Sequence, residues 1–433
     1  MGYNRAYGEN HHFGRVQPQG WEMDGNMGGI TEKSGEKTVL AVVFGGQSSE
    51  HEISRVSAQS VLENLDKTKY EIRMIGITKQ GEWLRYDGDL ALIGSGEWEA
   101  IARKRRQGLP GCRTDERHSL SNGLSATGSF YGSSCLSLLS NGLGGEPESP
   151  VDVVFPVLHG PNGEDGSVQG VFQLAGVPYV GCGILASAAG MDKTFSKIVF
   201  QHAGIPQARH ITVFRSEIDG MGSVVGGRIA EELGFPCFVK PANAGSSVGV
   251  SKVKSPADLE PALREASKYD SKILVEEFIH GREVECAILG NEEPIASVVG
   301  EVIPCNEFYD YAAKYLDDRS ETRIPADLRP EIAEAVQNMA IKAFKALGGS
   351  GLSRVDFFVE HGTNRVVLNE INTLPGFTSI SMYAKLWAAS GIPYPELVDR
   401  LVELALRRHG ETGFSIERSA SCTDSRLGKE ATD

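Results

Sequence analysis

Apolar runs alternate along this chain with amphipathic stretches, and their spacing predicts most of its elements. Thr38-Val39-Leu40-Ala41-Val42-Val43-Phe44 is an uninterrupted apolar run that stops at Gly45-Gly46. That is the form of a buried strand entering a tight turn. Ser49 and Glu52 have capping-box spacing and predict a helix running on through Val56, Val61 and Leu65. Residues 70–78 read as a second strand, and 151–158 as another buried one ending in His159-Gly160. Strands alternating with helices predict a parallel, doubly wound first domain. Between them, residues 88–150 carry Arg-Lys-Arg-Arg at 103–106 and then many Ser, Gly and Asn. They read as a long surface insertion with a few short elements.

A second region starts near residue 189. Met191-Asp192-Lys193 opens a helix that carries Lys197, and Pro236-Cys237-Phe238-Val239-Lys240-Pro241 is a strand with a lysine at its end. A small-residue loop, Ala244-Gly245-Ser246-Ser247-Val248-Gly249-Val250, follows, and residues 273–278 form a further strand. The expected organisation is a disordered leader over 1–36, an N-terminal domain over 37–188 and a central subdomain over 189–280. A C-terminal domain over 281–413 and a flexible tail over 414–433 complete it.

The third region holds the most informative pattern. Arg354-Val355-Asp356 and Asn369-Glu370-Ile371-Asn372 flank Phe357-Phe358-Val359, a turn around His361-Gly362-Thr363-Asn364, and Val366-Val367-Leu368. This reads as a β-hairpin. Strand side chains alternate faces, so Arg354 shares a face with Asp356, and Glu370 with Asn372. Two carboxylates and an amide oxygen on paired strands repel one another unless a cation sits among them. All-oxygen donors favour a hard ion such as Mg²⁺, shared with nucleotide phosphates. A solvated hairpin face is the plainer alternative, but these polar residues interrupt a run that otherwise reads as buried.

Composition narrows the class. The formal net charge of −14 argues against nucleic acid or an anionic membrane as the main partner. Seven cysteines without a CxxC pair indicate reduced thiols and a cytoplasmic protein. No apolar run approaches the ~18–20 residues that span a bilayer, and the leader lacks the apolar core of a signal peptide.

The loop Gly245-Ser246-Ser247-Val248-Gly249 suits backbone N–H groups wrapping a phosphate, though a plain hairpin turn fits it equally. Lys240 and Lys193 supply point charges for phosphate oxygens, or are surface lysines. Glu276-Glu277-Phe278-Ile279 leaves a buried strand toward Gly281-Arg282-Glu283, where backbone can pair with a base edge and a carboxylate with a ribose hydroxyl.

These pieces, in this order, resemble the D-alanine–D-alanine ligase family of ATP-grasp enzymes over roughly residues 38–408. The resemblance rests on residues 45–54 (GGQSSEHEIS), 159–166 (HGPNGEDG), 240–249 (KPANAGSSVG), 309–315 (YDYAAKY) and 369–378 (NEINTLPGFT). It implies an α/β (α+β overall) ATP-grasp fold of three subdomains. The first is parallel and doubly wound, and ATP lies between the central and C-terminal domains. It implies that Lys193, Lys240 and Lys314 contact ATP phosphates together with Ser246 and Ser247. Glu276, Glu277, Ile279 and Glu283 would line the adenine and ribose pocket. Asp356, Glu370 and Asn372 would bind two Mg²⁺ or Mn²⁺ ions. Glu50, with His51 nearby, would bind the first D-alanine's ammonium, and Arg354 and the Gly376 N–H would hold an oxyanion. Ser381 and Met382, at a helix start, would receive the second D-alanine's carboxylate, which suits the free N–H groups and dipole there. A Tyr315–Ser246–Glu50 triad would close a lid over the nucleotide. The implied activity is ATP-dependent synthesis of D-alanyl-D-alanine by a homodimer, without nucleic-acid or membrane partners. A D-alanine–D-lactate ligase is the nearest alternative, and the Lys314-Tyr315 pair favours the dipeptide.

Overall fold

Strand β1 (Thr38–Gly45) is central in its sheet, pairing in parallel with β2 (Tyr70–Ile77) along one edge and β4 (Val153–Leu158) along the other, and helices bury both of its faces. Strand β3 (Trp83–Tyr86) adds an antiparallel edge to β2. Alternation sends Leu40, Val42 and Phe44 to one face, under α1 (His51–Asn64), α2 (Ala91–Ser95) and α3 (Trp98–Gln107). Val39, Ala41 and Val43 go to the other, under α4 (Ser167–Leu174). The sheet is thus doubly wound, as its continuous apolar strands require. This computed structural model describes residues 36–107, 149–303, 321–378 and 380–411, without the side chains of 107 and 219–223.

Two local expectations change. Helix α1 starts at His51 with Glu50 at its N-cap and no side-chain capping bond, so the Ser49–Glu52 box does not form. Glu52 reaches Lys79 at 2.5 Å instead, and Ser48 Oγ accepts the Glu50 N–H at 3.1 Å. Residues 88–107 are not surface insertion throughout. Trp98 is 1 % exposed and meets Phe44 edge-on at 5.0 Å. Arg103 and Arg106, from the basic run, both bind Glu82. Arg105 pairs with Asp87, so three residues of the run make structural ion pairs, and residues 108–148 lie outside the described residues.

Helices α5 (Ile184–Met191) and α6 (Lys193–His202) lead to a second sheet, all antiparallel. Its order is β5 (His210–Phe214), β8 (Lys272–Glu277), β6 (Cys237–Pro241) and β7 (Ser251–Val253). Helices α7 (Arg215–Glu232) and α8 (Pro256–Ala266) share its core.

The third sheet is also antiparallel, in the order β11 (Glu321–Arg323), β10 (Ile295–Ile303), β9 (Gly281–Gly290), β12 (Gly351–Glu360), β13 (Val366–Asn372). Val284, Cys286 and Ile288 of β9 face α9 (Pro330–Ala346). Ala287 and Leu289 face α10 (Met382–Ala389) and α11 (Tyr394–Glu411). That second face belongs to the same apolar cluster as Leu40, Val42 and Phe44, so the first and third sheets share a core. Arg408 of α11 donates to the Tyr179 carbonyl at 2.8 Å and to Ser350 Oγ, tying the two segments together. No helix among the described residues is long and apolar enough to cross a membrane.

Candidate active site

A cleft of about 750 Å³ lies between the second and third sheets and reaches Glu50 and His159 at the end of the first. Its acidic wall is the predicted hairpin. In the β12–β13 register Arg354 faces Asn372 and Asp356 faces Glu370. On the other side Asp356 faces Glu285 of β9. Three carboxylates therefore stand in a row across three strands, an arrangement that repels without cations. Arg354 supplies one. Its guanidinium donates to both Asp356 oxygens at 2.7 Å and lies 3.0 Å from Glu285. Burial alone would lower the Arg354 pKa, but Asp356 and Glu285 hold it well above the ordinary value. Lys193 supplies a second charge, 3.7 Å from Glu370.

A bulge after Asp356 adds a residue to β13, because Asp356 pairs with Glu370 but Phe357 pairs with Leu368. Asn369 is the extra residue. Strict alternation would turn it away from Glu370. In the structure both line the cleft, and Asn369 Oδ1 accepts from Lys240 at 3.4 Å.

The opposite wall carries the basic groups. Lys193 Nζ donates to the Ala244 carbonyl at 2.7 Å. Lys240 and Lys197 both pair with the Glu276 carboxylate, one on each oxygen. Burial would push the Glu276 carboxyl up, but Lys197 and Lys240 outweigh it and hold it at about 2. Glu277 accepts from the Arg209 backbone at 2.9 Å and its guanidinium at 2.6 Å, yet still borders the cleft with Ile279 and Glu283.

The small-residue loop closes the inner end. Ser246 and Ser247 take left-handed backbone angles, φ 49° and 59°, uncommon for residues with a side chain. A Cβ on Gly245 would come within 2.8 Å of Glu50 Oε2, so a larger residue there would push the Glu50 carboxylate aside. Ser246 Oγ donates to Glu50 Oε1, which completes one leg of the expected triad. Tyr315 and Lys314 lie outside the described residues.

His51 does not reach the cleft as expected. It begins α1 beside the Gly45-Gly46 turn, and its ring nitrogen Nδ1 bonds the Gly46 carbonyl at 2.8 Å. His159, quoted within a motif but given no role, lines the cleft with Glu50 instead. Burial pushes the His159 imidazole down, opposed chiefly by Glu50. Its Nε2 lies 3.2 Å from Ser57 Oγ, which also accepts the Phe377 N–H at 3.3 Å. Ser57 thus pins the segment containing Gly376. Ser57→Ala should cost about 1–3 kcal/mol, the penalty of an unmet buried N–H. Urea unfolding of the variant reads this cost.

Glu164 is a second group without a sequence-based role. Burial and the Glu50 charge push its carboxyl up to about 8, against the Gly160 N–H that it accepts at 2.9 Å. A carboxyl raised to about 8 holds its proton at neutral pH, so Glu164 stands as a neutral group beside Glu50.

At the other side Ser381, the N-cap of α10, and Met382 line the cleft. The Ser381 hydroxyl accepts the Thr378 N–H at 2.9 Å, which fixes the turn after Gly376.

Among the described residues no three His, Cys, Asp or Glu side chains gather to hold a metal ion by themselves. The set here is two carboxylates and an amide, with the Asn372 amide 3.0 Å from Asp356. Asp356 Oδ2 accepts from both Arg354 and Asn372, whereas Oδ1 accepts from Arg354 alone and keeps a lone pair. Such a set fits a hard divalent ion whose remaining ligands are phosphate oxygens and water.

Two antiparallel sheets closing on one cleft, lysines and a small-residue loop facing carboxylates, make the ATP-grasp architecture. Residues 39–182 match the D-ala D-ala ligase N-terminus family and residues 199–403 the D-ala D-ala ligase C-terminus family. A D-alanine–D-alanine ligase of Acetivibrio thermocellus is 55% identical over 379 residues, 87% of this chain and 98% of that protein. One of a Thermoanaerobacter species is 49% identical over 377 residues, again 87% and 98%. The crystal structure of the VanG D-Ala:D-Ser ligase from Enterococcus faecalis superposes with a TM-score of 0.70 at 37% identity, covering 86% of this chain and 100% of that one. The D-alanine-D-alanine ligase structure from Coxiella burnetii gives 0.70 at 36%, covering 87% and 96%. This chain belongs to the D-alanine–D-alanine ligase family.

Proposed function

We propose that this chain joins two D-alanines to D-alanyl-D-alanine, consuming ATP and releasing ADP and phosphate, for peptidoglycan precursor synthesis. The observation that carries this reading is the shape of the cleft. Glu50, built to take an ammonium, and the Lys193–Lys240–Glu370–Asn372 group, built for phosphates, line one cavity, with Asp356 held beside it by Arg354 and Asn372.

The carboxylate of the first D-alanine attacks the γ-phosphorus, giving D-alanyl phosphate and ADP. Lys193 and Lys240 face the charge spread over the transferred phosphoryl group. The amine of the second D-alanine then attacks the acyl carbon, and phosphate leaves. Arg354 and the Gly376 N–H hold the oxyanion of that step. The second carboxylate meets the start of α10 at Ser381 and Met382. Asp356, Glu370 and Asn372 hold two Mg²⁺ or Mn²⁺ ions, which when bound supply charge neutralisation at the phosphates. Glu276, Glu277, Ile279 and Glu283 form the base and ribose end, and the Ser246-Ser247 backbone meets the phosphates. Lys314 adds a phosphate contact, and Tyr315 joins Ser246 and Glu50 as a lid. The working unit is a cytoplasmic homodimer, with subdomains divided near residues 188 and 280.

Phosphate release by the purified full chain with ATP should rise with D-alanine and not with L-alanine. D-serine and D-lactate belong in the panel, the first because a structural neighbour is named a D-Ala:D-Ser ligase. D-lactate is read across a pH series in competition with D-alanine. Absence of D-alanine-stimulated phosphate release would overturn the proposal, and preference for D-serine or D-lactate would redirect its second substrate.

A further inference from the structure

Lys197 is a buried lysine that the reaction above does not use. It sits on α6 four residues after Lys193, on the same helix face. Lys193 reaches the cleft, but Lys197 does not line it, and its side chain is 2 % exposed. Its ammonium pairs with one oxygen of Glu276, while Lys240 pairs with the other. Glu276 does line the cleft, so it stands between Lys197 and anything bound there.

Helix α6 is itself well fixed. Asp192 caps it by accepting from the Thr194 and Phe195 N–H groups, and Asp192 also pairs with Lys272 at the start of β8. The helix is therefore tied to β8 at both ends of that strand, through Lys272 and through Glu276. A lysine buried this deeply must offset its desolvation. An apolar residue would fill the same space without that cost.

We propose that Lys197 is a positioning residue for nucleobase recognition: it locks the Glu276 carboxylate as an oriented acceptor and confines Lys240 to one of its two oxygens. The inference rests on the nucleotide reading of the cleft. A carboxylate has about four lone-pair sites. With one taken by each lysine, the rest are held toward the cleft. A fixed, ionised acceptor attracts the exocyclic amine of adenine and repels the C6 carbonyl of hypoxanthine. Without Lys197, Glu276 turns to meet Lys240 with both oxygens. The acceptor then loses its direction, and Lys240 is drawn away from the phosphates.

The test compares ATP with ITP, which differ at C6, in wild type and Lys197→Met. Calorimetric affinity and kcat and KM are both measured. The variant should bind ATP about tenfold more weakly and lose about tenfold of its ATP-over-ITP preference, the scale of one charge-assisted hydrogen bond. The KM for D-alanine should stay within about twofold. Lys197→Gln, which keeps a donor without the charge, should fall between the two and serves if the Met variant does not fold. Unchanged ATP affinity and unchanged ATP-over-ITP preference in a folded variant would overturn the inference. So would a lowered melting temperature with the preference intact, because that marks a structural lysine only. Failure of the wild type to bind ATP would instead sink the reading of the cleft. Binding of ATP without ligation would sink only the proposed reaction.

Discussion

Asp356→Asn should cut D-alanine-dependent phosphate release by at least about a thousandfold, the scale of losing several kcal/mol of charge stabilisation at a phosphoryl group. The fold should survive. Asparagine has nearly the same shape and keeps one acceptor for Arg354, which retains Glu285 at 3.0 Å. What the variant loses is a negative charge in the row Glu285–Asp356–Glu370, set by strand register and not by a mobile loop. The expected signature is a collapse of kcat, not of thermal stability. Near-normal turnover in a folded variant would mean that the hairpin face does not meet the phosphates. Added Mn²⁺ serves as a control for simple weakening of ion affinity.

Glu276→Gln should be the most destabilising polar substitution in the cleft, costing about 3–5 kcal/mol, because two buried ammonium groups lose their counter-charge. Urea unfolding at pH 7 without nucleotide reads this directly. The pH dependence carries a definite sign. The Glu276 carboxyl is held at about 2 in the folded chain against an ordinary 4.5. A depressed folded pKa gives stability that is fully present above the ordinary value and is lost as pH falls through the folded value. The gap between wild type and variant should therefore be full at pH 7 and narrow between pH 4.5 and 2. A gap that stays constant over that window, or is absent at pH 7, would show that the two lysines are compensated elsewhere.

The hairpin was legible because its partners lie close in sequence and a short turn sets their register. Arg354, Asp356, Glu370 and Asn372 share one face, as period-two alternation requires. The continuous apolar runs at 38–45 and 153–158 likewise announced buried parallel strands. Other features were misread for physical reasons. Glu52 had a cap-like spacing, but Lys79 offered it a full charge. His51 neighbours Glu50 in sequence, yet successive residues at a helix start diverge by about 100°. Its ring turned to Gly46 while Glu50 entered the cleft. Trp98 sits among polar residues that suggested a loop, and its burial depends on the distant Phe44.

By itself the sequence determined the strands, the acidic hairpin, the strand lysine and the small-residue loop, because each is a local pattern enforced by burial and backbone freedom. Tertiary structure alone decided which of those pieces share a cleft. It decided that a bulge turns Asn369 inward, that His159 and Glu164 stand beside Glu50, and that Lys197 lies behind Glu276. The physical reason is range: local patterns are fixed over a few residues, whereas these neighbours meet only when separate sheets and helices pack, and charge and burial then select their partners.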